Sequence, residues 1–261
     1  MRTSGQLLWR TTGLLSFLSF LLFATGFVLA MNPQQIAPAK TSPPAPSEQT
    51  APLPAQGVQK VVALGDSLTR GAGDANGQGY AGLVRQALEK KLGKPITFSN
   101  LAINGQESTD LVKQMSQSQV KTLLSEADLV LFTIGGNDMF RQTGGLYTID
   151  KEKLAAATKE LTANYEEIIR QIRAVNKQAT IVYTTLYNPF GDTEASVDTI
   201  QPVLDWNYTA SEIASKYPHV IVVPTYDLFV NKEQSYLYTD HFHPNTAGYQ
   251  RIAERVIQAL E

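Results

Sequence analysis

A serine, a histidine and an aspartate stand in two short segments whose residue types suit acyl transfer. Residues 65–69 read Gly-Asp-Ser-Leu-Thr and place Ser67 just after an apolar run. Residues 240–243 read Asp-His-Phe-His and place Asp240 three positions before His243. A serine hydroxyl becomes a nucleophile when an adjacent base takes its proton, and a histidine oriented by an aspartate is such a base. The segments predict Ser67 as nucleophile, His243 as base and Asp240 as the residue that orients the ring.

Two further segments offer hydrogen-bond donors for the negative oxygen of a tetrahedral intermediate. Residues 104–105 are Asn-Gly, and residues 135–138 are Gly-Gly-Asn-Asp. Preorganised N–H donors stabilise the oxyanion that forms when a nucleophile attacks an ester carbonyl. We expect an oxyanion hole formed by the backbone amides of Ser67 and Gly105 and by the side-chain amide of Asn137.

Each segment also has a simpler interpretation. A serine after a strand often caps a helix, Asn-Gly is typical of turns, and Asp240 with Pro244 and Asn245 suits a helix start. A metal site of Asp240, His241 and His243 is a further alternative, although the chain has no cysteine and only three histidines with which to complete it. Catalysis is favoured because all four segments occur together.

Composition excludes several functional classes. The chain has 261 residues, of which 43% are hydrophobic and 18% charged, and its net charge is -2. This balance gives no basic field for a nucleic-acid partner. The absence of cysteine removes disulfides, thiolate nucleophiles and a lipid-modified cysteine. The serine segment is not a Gly-x-Ser-x-Gly elbow, which disfavours an α/β-hydrolase of that type.

The amino-terminal part differs from the rest of the chain. Residues 11–31 are uncharged and rich in Leu and Phe, and Arg2 and Arg10 precede them. About 20 apolar residues suit a membrane-spanning helix whose amino terminus stays in the cytoplasm. A signal peptide cleaved after Ala30 is the alternative. We therefore expect residues 1–31 to be a membrane anchor or a signal peptide.

Both interpretations place the rest of the chain outside the cytoplasm, on the outer face of the cytoplasmic membrane or secreted. Residues 32–57 are rich in Pro, Ala, Ser and Gln and have almost no large apolar side chains. Such a segment cannot bury a core and is typical of an extended linker. Residues 58–261 are expected to form the hydrolase domain.

Strand and helix patterns alternate along residues 58–261. Apolar runs typical of buried strands occupy residues 60–64, 96–101, 128–134, 180–185 and 219–223. Helical spacing occupies residues 80–92, 108–124, 151–175, 198–216 and 245–260, and the helix over residues 108–124 is expected to be broken. This order predicts an α/β fold with a parallel five-stranded sheet covered by helices on both faces. Sites in such sheets form at the carboxyl ends of strands, where Ser67, Gly105 and Asn137 are expected to lie.

Two loops are predicted to cover a substrate, residues 139–150 and residues 187–197. These loops and a nearby helix supply aromatic side chains that suit an acyl chain or a sugar face: Phe140, Tyr147, Tyr187, Phe190 and Trp206.

Together, these residues resemble the SGNH, or GDSL, hydrolase family. The similarity runs through four sequence blocks in the family's order, at residues 65–69, 100–105, 135–138 and 240–245. It implies that Ser67 is the nucleophile and that Asp240 and His243 complete its triad. It also implies oxyanion donors at Gly105 and Asn137. The resemblance extends over residues 60–260.

The resemblance implies a three-layer, flavodoxin-like α/β/α fold with neither a metal nor an organic cofactor. The chain is similar to the bacterial lysophospholipase and thioesterase branch, and differs from its surface lipoproteins in lacking a cysteine. We expect a serine ester hydrolase acting on acyl esters such as lysophospholipids or short-chain lipids. The alternatives are an O-acetyl esterase acting on cell-wall or exopolysaccharide sugars and, in another class, a non-catalytic surface-binding module.

Overall fold

A computed structural model describes residues 4–31, 57–141, 143 and 149–261. The chain divides into two compact units, the first containing the amino-terminal helix and the second the domain. The predicted linker, residues 32–57, lies outside the described residues except for Gly57.

The amino-terminal unit contains one long helix, α1 (Ser4–Met31). Large apolar side chains along it are exposed, among them Leu14, Phe17 and Phe20. In the part of the chain that the structure describes, no helix combines the length and the apolar character needed to cross a membrane. The predicted membrane-spanning anchor is therefore not supported.

The domain is built on five parallel strands. They are β1 (Lys60–Gly65), β2 (Thr97–Asn100), β3 (Leu129–Thr133), β4 (Thr180–Thr184) and β5 (Val220–Val223). The sheet order is β2-β1-β3-β4-β5, and every neighbouring pair is parallel. The predicted α/β fold with a parallel five-stranded sheet is confirmed.

Helices connect the strands. In chain order they are α2 (Ser67–Arg70), α3 (Gly79–Leu92), α4 (Ser108–Met115), α5 (Ser118–Ser125), α6 (Gly136–Phe140), α7 (Lys151–Val175), α8 (Ser196–Ala214), α9 (Tyr226–Phe229), α10 (Glu233–Tyr236) and α11 (Thr246–Ala259). The break expected within residues 108–124 is confirmed, since this segment forms two helices, α4 and α5. The single-turn helices α2, α6, α9 and α10 were not predicted, because one turn is too short to show apolar periodicity.

The sheet is buried on both faces. Alternate residues of β1 point in opposite directions, so that Val62 and Leu64 join a core formed with α4, α5, α7 and α8. Val61 and Ala63 join the opposite core with α3 and α11. This two-sided burial explains why the strands read as continuous apolar runs.

The winding of the chain reverses at β1, because β2 lies on one side of it and β3 on the other. The connections that leave β1, β2 and β3 therefore open next to one another at the carboxyl edge of the sheet. They contain Ser67, Gly105 and Asn137.

Candidate active site

Ser67 is the first residue of α2, immediately after β1. The Asp66 carboxylate caps this helix by accepting the Leu68 amide at 3.0 Å. Gly65 has a φ of 105°, and a Cβ there would lie 1.8 Å from the carbonyl oxygen of Thr133. Only glycine fits this turn, because β1 and β3 meet closely and the backbone is left-handed. The turn leaves Ser67 4% exposed at the sheet edge.

Buried hydroxyl groups hold the Asp66 carboxylate beneath this turn. Thr133 Oγ1 donates to Asp66 Oδ1 at 2.6 Å and lies 2.8 Å from Thr69 Oγ1, which in turn is 3.1 Å from the Tyr80 hydroxyl. Burial raises the pKa of Asp66, although the bonds from Thr133 and the Leu68 amide oppose the rise. The network fixes the turn that presents Ser67.

The His243 ring contacts both predicted partners. Its Nε2 is 2.7 Å from Ser67 Oγ, and its Nδ1 is 2.7 Å from Asp240 Oδ2. An Nδ1–H that donates to the carboxylate leaves Nε2 as the acceptor for the serine hydroxyl. The structure thus brings together the three residues that the sequence pattern grouped, in a geometry that permits proton transfer from serine to histidine.

Asp240 is held by its own turn. Its Oδ1 accepts the backbone amides of Phe242 and His243, each at 3.0 Å. Partial burial raises the pKa of Asp240, but the hydrogen bonds from the His243 ring and from these two amides outweigh burial and keep the pKa below its ordinary value. The carboxylate is therefore ionised at neutral pH, and both of its oxygens are engaged.

The loop that contains these two residues is fixed at its ends. The Tyr238 amide donates to the His243 carbonyl at 2.7 Å. Asn245 caps α11 by accepting the Gly248 amide at 3.0 Å, and its Nδ2 donates to the Leu237 carbonyl at 3.1 Å. The simpler interpretation of Asn245 as a helix cap is therefore correct, and the cap also anchors the histidine loop.

The predicted oxyanion donors lie in two adjacent turns. Asn137 is in the first turn of α6, and its Nδ2 donates to the Gln106 carbonyl at 3.0 Å. Gly105 has a φ of 75° in a turn closed by the Gln106 amide on the Ile103 carbonyl at 3.1 Å. Among the described residues, the backbone N–H groups of Ser67 and Gly105 donate to no protein acceptor. Both amides remain available to a ligand.

Two cavities meet at this site. The first has room for about 20 Å³ and is lined by Asp66, Ser67, Leu68, Gly136, Asn137, Phe140, Leu186, Tyr187, Pro189 and Phe242. The second has room for about 280 Å³ and is lined by Asn137, Phe140, Arg141, Phe190, Asp240, His241 and Phe242. Asn137, Phe140 and Phe242 line both cavities, so these three side chains form a wall that the two cavities share.

Most of the predicted substrate-facing aromatic residues line these cavities. Phe140 and Tyr187 lie in the first and Phe190 in the second, within the two loops predicted to cover a substrate. The expectation for Trp206 was wrong: it is fully buried, and its Nε1 donates to the Tyr183 hydroxyl at 2.9 Å. It lies on the inward face of α8, where burial of its ring stabilises the core. Tyr147 lies outside the described residues.

The metal alternative has no support in the geometry. The His243 ring nitrogens already contact Ser67 and Asp240, and His241 is exposed on a left-handed turn with a φ of 52°. The described part of the chain contains no group of three His, Cys, Asp or Glu side chains arranged to hold a metal ion.

Asp138 is a functional candidate that the sequence analysis did not single out. It accepts the Ser108 hydroxyl at 2.5 Å and the Ser108 amide at 2.9 Å, which ties the Asn137 turn to the start of α4. Burial raises the pKa of Asp138 to about 6. Asn164 of α7 donates to the same hydroxyl at 2.9 Å. The Gly-Gly-Asn-Asp segment contains Asp138, but nothing in that segment indicates its partner Ser108, which lies 30 residues earlier.

Comparison with known proteins identifies the family of the chain. Residues 63–251 match the model of the GDSL-like Lipase/Acylhydrolase family. YpmR, an uncharacterized protein of Bacillus subtilis (strain 168), is 37% identical over 206 residues, covering 77% of this chain and 81% of YpmR. The spore germination lipase LipC of Bacillus licheniformis is 26% identical over 202 residues, covering 75% of this chain and 93% of LipC.

Solved structures share the fold. The lipase Lip_vut3 from a goat rumen metagenome has a TM-score of 0.69 at 24% identity, covering 78% of this chain and 100% of Lip_vut3. Axe2, an acetylxylan esterase from Geobacillus stearothermophilus, has a TM-score of 0.61 at 20% identity, covering 79% of this chain and 96% of Axe2. The chain belongs to the GDSL-like lipase/acylhydrolase family and is a hydrolase of carboxylic esters.

Proposed function

We propose that this protein cleaves acyl esters with a triad of Ser67, His243 and Asp240. The observation that carries the proposal is the line of two 2.7 Å contacts that joins the serine hydroxyl, the imidazole and the carboxylate. A non-catalytic binding module has no need for this line, for the two available backbone amides or for the adjoining Asn137 amide. We therefore favour catalysis over a binding module.

The first half-reaction forms an acyl-enzyme. Ser67 Oγ attacks the ester carbonyl carbon while His243 Nε2 takes the hydroxyl proton, and Asp240 stabilises the imidazolium. The new oxyanion accepts hydrogen bonds from the predicted donors at Ser67, Gly105 and Asn137. When the intermediate collapses, the bond to the alcohol oxygen breaks, and His243 gives its proton to that oxygen.

The second half-reaction releases the acyl group. Water attacks the acyl carbon as His243 removes one of its protons. The bond to Ser67 Oγ then breaks, and the serine oxygen regains a proton from the imidazolium. The products are a carboxylic acid and an alcohol, and the enzyme returns to its starting state.

The proposed substrates are lysophospholipids or short-chain lipids. Support comes from the mainly apolar walls of the cavity over Ser67, which include Leu68, Phe140 and Leu186. Such walls exclude water from an acyl chain and bind it through the hydrophobic effect. The relative LipC is named a lipase, in agreement with this substrate class.

Deacetylation of cell-wall or exopolysaccharide sugars is the second candidate. The cavity over Ser67 has room for only about 20 Å³, little more than the volume that one water molecule requires. A cavity of that size favours an acetyl group over a long chain. Axe2, which shares the fold, is named an acetylxylan esterase.

Hydrolysis of a graded acyl panel tests both candidates. We would compare p-nitrophenyl acetate, butyrate, octanoate and palmitate, a lysophospholipid and an acetylated glycan, using the full-length protein and its Ser67→Ala variant. We expect Ser67→Ala to fold normally and to lose kcat by about 10⁴-fold or more, because the nucleophile is gone. Its melting temperature is the control for folding.

The dependence of activity on acyl-chain length distinguishes the two candidate substrates. Serine-dependent activity that rises with chain length supports the lipid substrate, whereas activity confined to acetate and glycan supports deacetylation. Wild-type turnover by Ser67→Ala contradicts the triad, and the absence of serine-dependent turnover on every substrate revives the surface-binding module.

We further propose that the domain acts outside the cytoplasm. Support comes from the uncharged, Leu- and Phe-rich residues 11–31 and the arginines before them, which suit an export signal. Fractionation of the producing cells, with amino-terminal sequencing of the recovered protein, tests this location. Recovery of the intact chain from the cytosol contradicts it, and the sequenced terminus shows whether residues 1–31 are removed.

A further inference from the structure

The second cavity contains a cationic side chain that the proposed triad does not use. Arg141 stands at the end of α6, and its Nη1 donates to the Gly105 carbonyl at 3.1 Å. This bond holds the guanidinium against the turn that presents the predicted oxyanion donor. The charge is therefore placed beside the predicted oxyanion donor Gly105.

The Arg141 guanidinium has more N–H donors than the described acceptors use. It presents five N–H groups, and the Gly105 carbonyl accepts one of them. Arg141 forms no ion pair with any described residue. The acidic side chain that lines the cavity, Asp240, is already engaged by His243 and two backbone amides. The donors that remain match the oxygens of a phosphate or a carboxylate.

The mechanism decides which part of an ester meets Arg141. His243 must give its proton to the alcohol oxygen, so the alcohol lies on the histidine side of the scissile bond. The second cavity lies on that side, because Asp240 and His241 line it and do not line the first cavity. Its aromatic side chains Phe140 and Phe190 are suited to contact the carbon skeleton of the alcohol.

We propose that Arg141 binds an anionic group on the alcohol part of the ester. The inference rests on the proposed function and adds the substrate class, an ester whose alcohol bears a phosphate or a carboxylate. A glycerophosphate lipid and an acylated acidic sugar both have this chemistry, so it fits either candidate substrate.

Two matched substrate pairs test the proposal with the full-length protein. The lipid pair is hexanoyl lysophosphatidic acid and 1-hexanoylglycerol, which differ in the phosphate. The sugar pair is an O-acetylated methyl glucuronide and the corresponding methyl glucoside, which differ in the carboxylate. Because the two members of each pair have the same acyl group, the ratio of their kcat/KM values measures the effect of the anionic group alone.

Three variants are compared on both pairs. Arg141→Gln removes the charge, Arg141→Lys keeps it, and Arg251→Gln is the control for a lost charge. Arg251 is exposed on α11, pairs with Glu254 and lines neither cavity. We expect Arg141→Gln to lower kcat/KM for the charged member of at least one pair by about tenfold or more, mainly through KM. The neutral member loses clearly less kcat/KM than the charged member, and Arg141→Lys regains most of the preference.

The pattern of losses decides the outcome. If Arg141→Gln loses the preference for the charged lipid, the bound group is a phosphate. If it loses the preference for the charged sugar, the bound group is a carboxylate. Equal losses on charged and neutral members overturn the proposal and assign Arg141 to the Gly105 turn. Unchanged activity on all substrates also overturns it.

A binding measurement separates this proposal from the triad. Dissociation constants of the two hexanoyl compounds and the two sugars are measured for Ser67→Ala and for Ser67→Ala combined with Arg141→Gln. Tighter binding of a charged member that depends on Arg141 supports the proposal even if wild type shows no serine-dependent turnover. Equal binding of both members of both pairs overturns it.

Discussion

At the scale of single residues, His243 links a buried hydroxyl to a carboxylate that stays ionised. The pKa of Asp240 lies below its ordinary value because the His243 ring and two amides outweigh partial burial. Its negative charge is therefore already in place when the proposed reaction makes the imidazolium. The carboxylate also fixes the ring orientation, since one oxygen meets Nδ1 and the other holds the backbone of the same turn.

Asp240→Asn separates these two roles. The amide oxygen of asparagine still accepts the backbone amides, so we expect the loop to fold and the melting temperature to change little. The neutral side chain no longer stabilises the imidazolium, and we expect kcat to fall by about 10²- to 10⁴-fold with KM nearly unchanged. Steady-state kinetics on a soluble short-chain ester measures this. A kcat within twofold of wild type would show that Asp240 has only a structural role.

The raised pKa of Asp138 leads to a second prediction about a single residue, which concerns the stability of the folded protein. The pKa of Asp138 is about 6 in the folded protein, above the ordinary value of 3.8. The folded state therefore holds this proton over a pH range in which the unfolded chain has lost it. It follows that the contribution of Asp138 to stability decreases as pH rises from about 4 to about 6 and is constant above that range.

We expect Asp138→Asn to abolish this pH dependence, because asparagine does not titrate. The free energy of unfolding is measured in urea from pH 4 to pH 7 at constant ionic strength. The wild-type value minus the variant value should fall between pH 4 and 6. Asp110→Asn, an exposed change on α4, is the control, and parallel curves for wild type and Asp138→Asn are the outcome that contradicts the assignment.

At the scale of elements, the site depends on how closely β1 approaches β3. The strand that ends at Gly65 must turn directly into α2, and the Thr133 carbonyl lies where a side chain would be. The Asp66 amide donates to that same carbonyl at 3.2 Å. The glycine is therefore required by the sheet, and the serine position depends on it.

Gly65→Ala tests this dependence. The added Cβ would lie 1.8 Å from the Thr133 carbonyl oxygen, and the alanine backbone would have to keep a φ of 105°. We therefore expect a loss of more than about 3 kcal/mol of stability or failure to fold. Gly77→Ala is the matched control, since its φ is 64° but a Cβ there meets nothing within 4 Å. That change should cost about 1 kcal/mol. Equal losses in chemical denaturation would mean that backbone strain alone explains Gly65.

The short helix α6 serves both proposals at once. It contains Asn137, the proposed oxyanion donor, and Asp138, which binds the start of α4, and Arg141 at its end lines the second cavity. A single element thus sets the relative positions of the proposed oxyanion donor and the proposed anion-binding residue.

At the scale of the whole molecule, the chain consists of two units that are compact separately. Every hydrogen bond described for the candidate site joins residues of the domain, residues 58–261. The chemistry is therefore expected to belong to the domain alone.

Removal of residues 1–56 tests this division. We expect the shortened protein to keep kcat/KM for a soluble ester such as p-nitrophenyl butyrate within about twofold, and to melt at nearly the same temperature. Full-length protein measured in the same buffer is the control. A large loss of activity or of melting temperature would show that the amino-terminal unit contributes to the domain.

Much of the fold could be predicted from the sequence, because local patterns encode it. Strands buried on both faces must be apolar throughout, so β1, β3 and β4 were predicted to within about two residues at each end. Helix α7 was predicted with its observed bounds, Lys151–Val175, because its long apolar stripe is unambiguous. The parallel sheet followed from the alternation of strands and helices.

The sequence by itself determined which residue types the site contains, because Ser67, Gly105, Asn137, Asp240 and His243 stand in recognisable local segments. Only the tertiary structure decided their distances, the tie between Asp138 and Ser108, the place of Arg141 beside Gly105 and the burial of Trp206. Most of these features depend on contacts between segments far apart in sequence, such as the 30 residues between Asp138 and Ser108 and the 36 between Arg141 and Gly105. Such contacts form when the strand order brings separate loops to one sheet edge, and no local pattern records them.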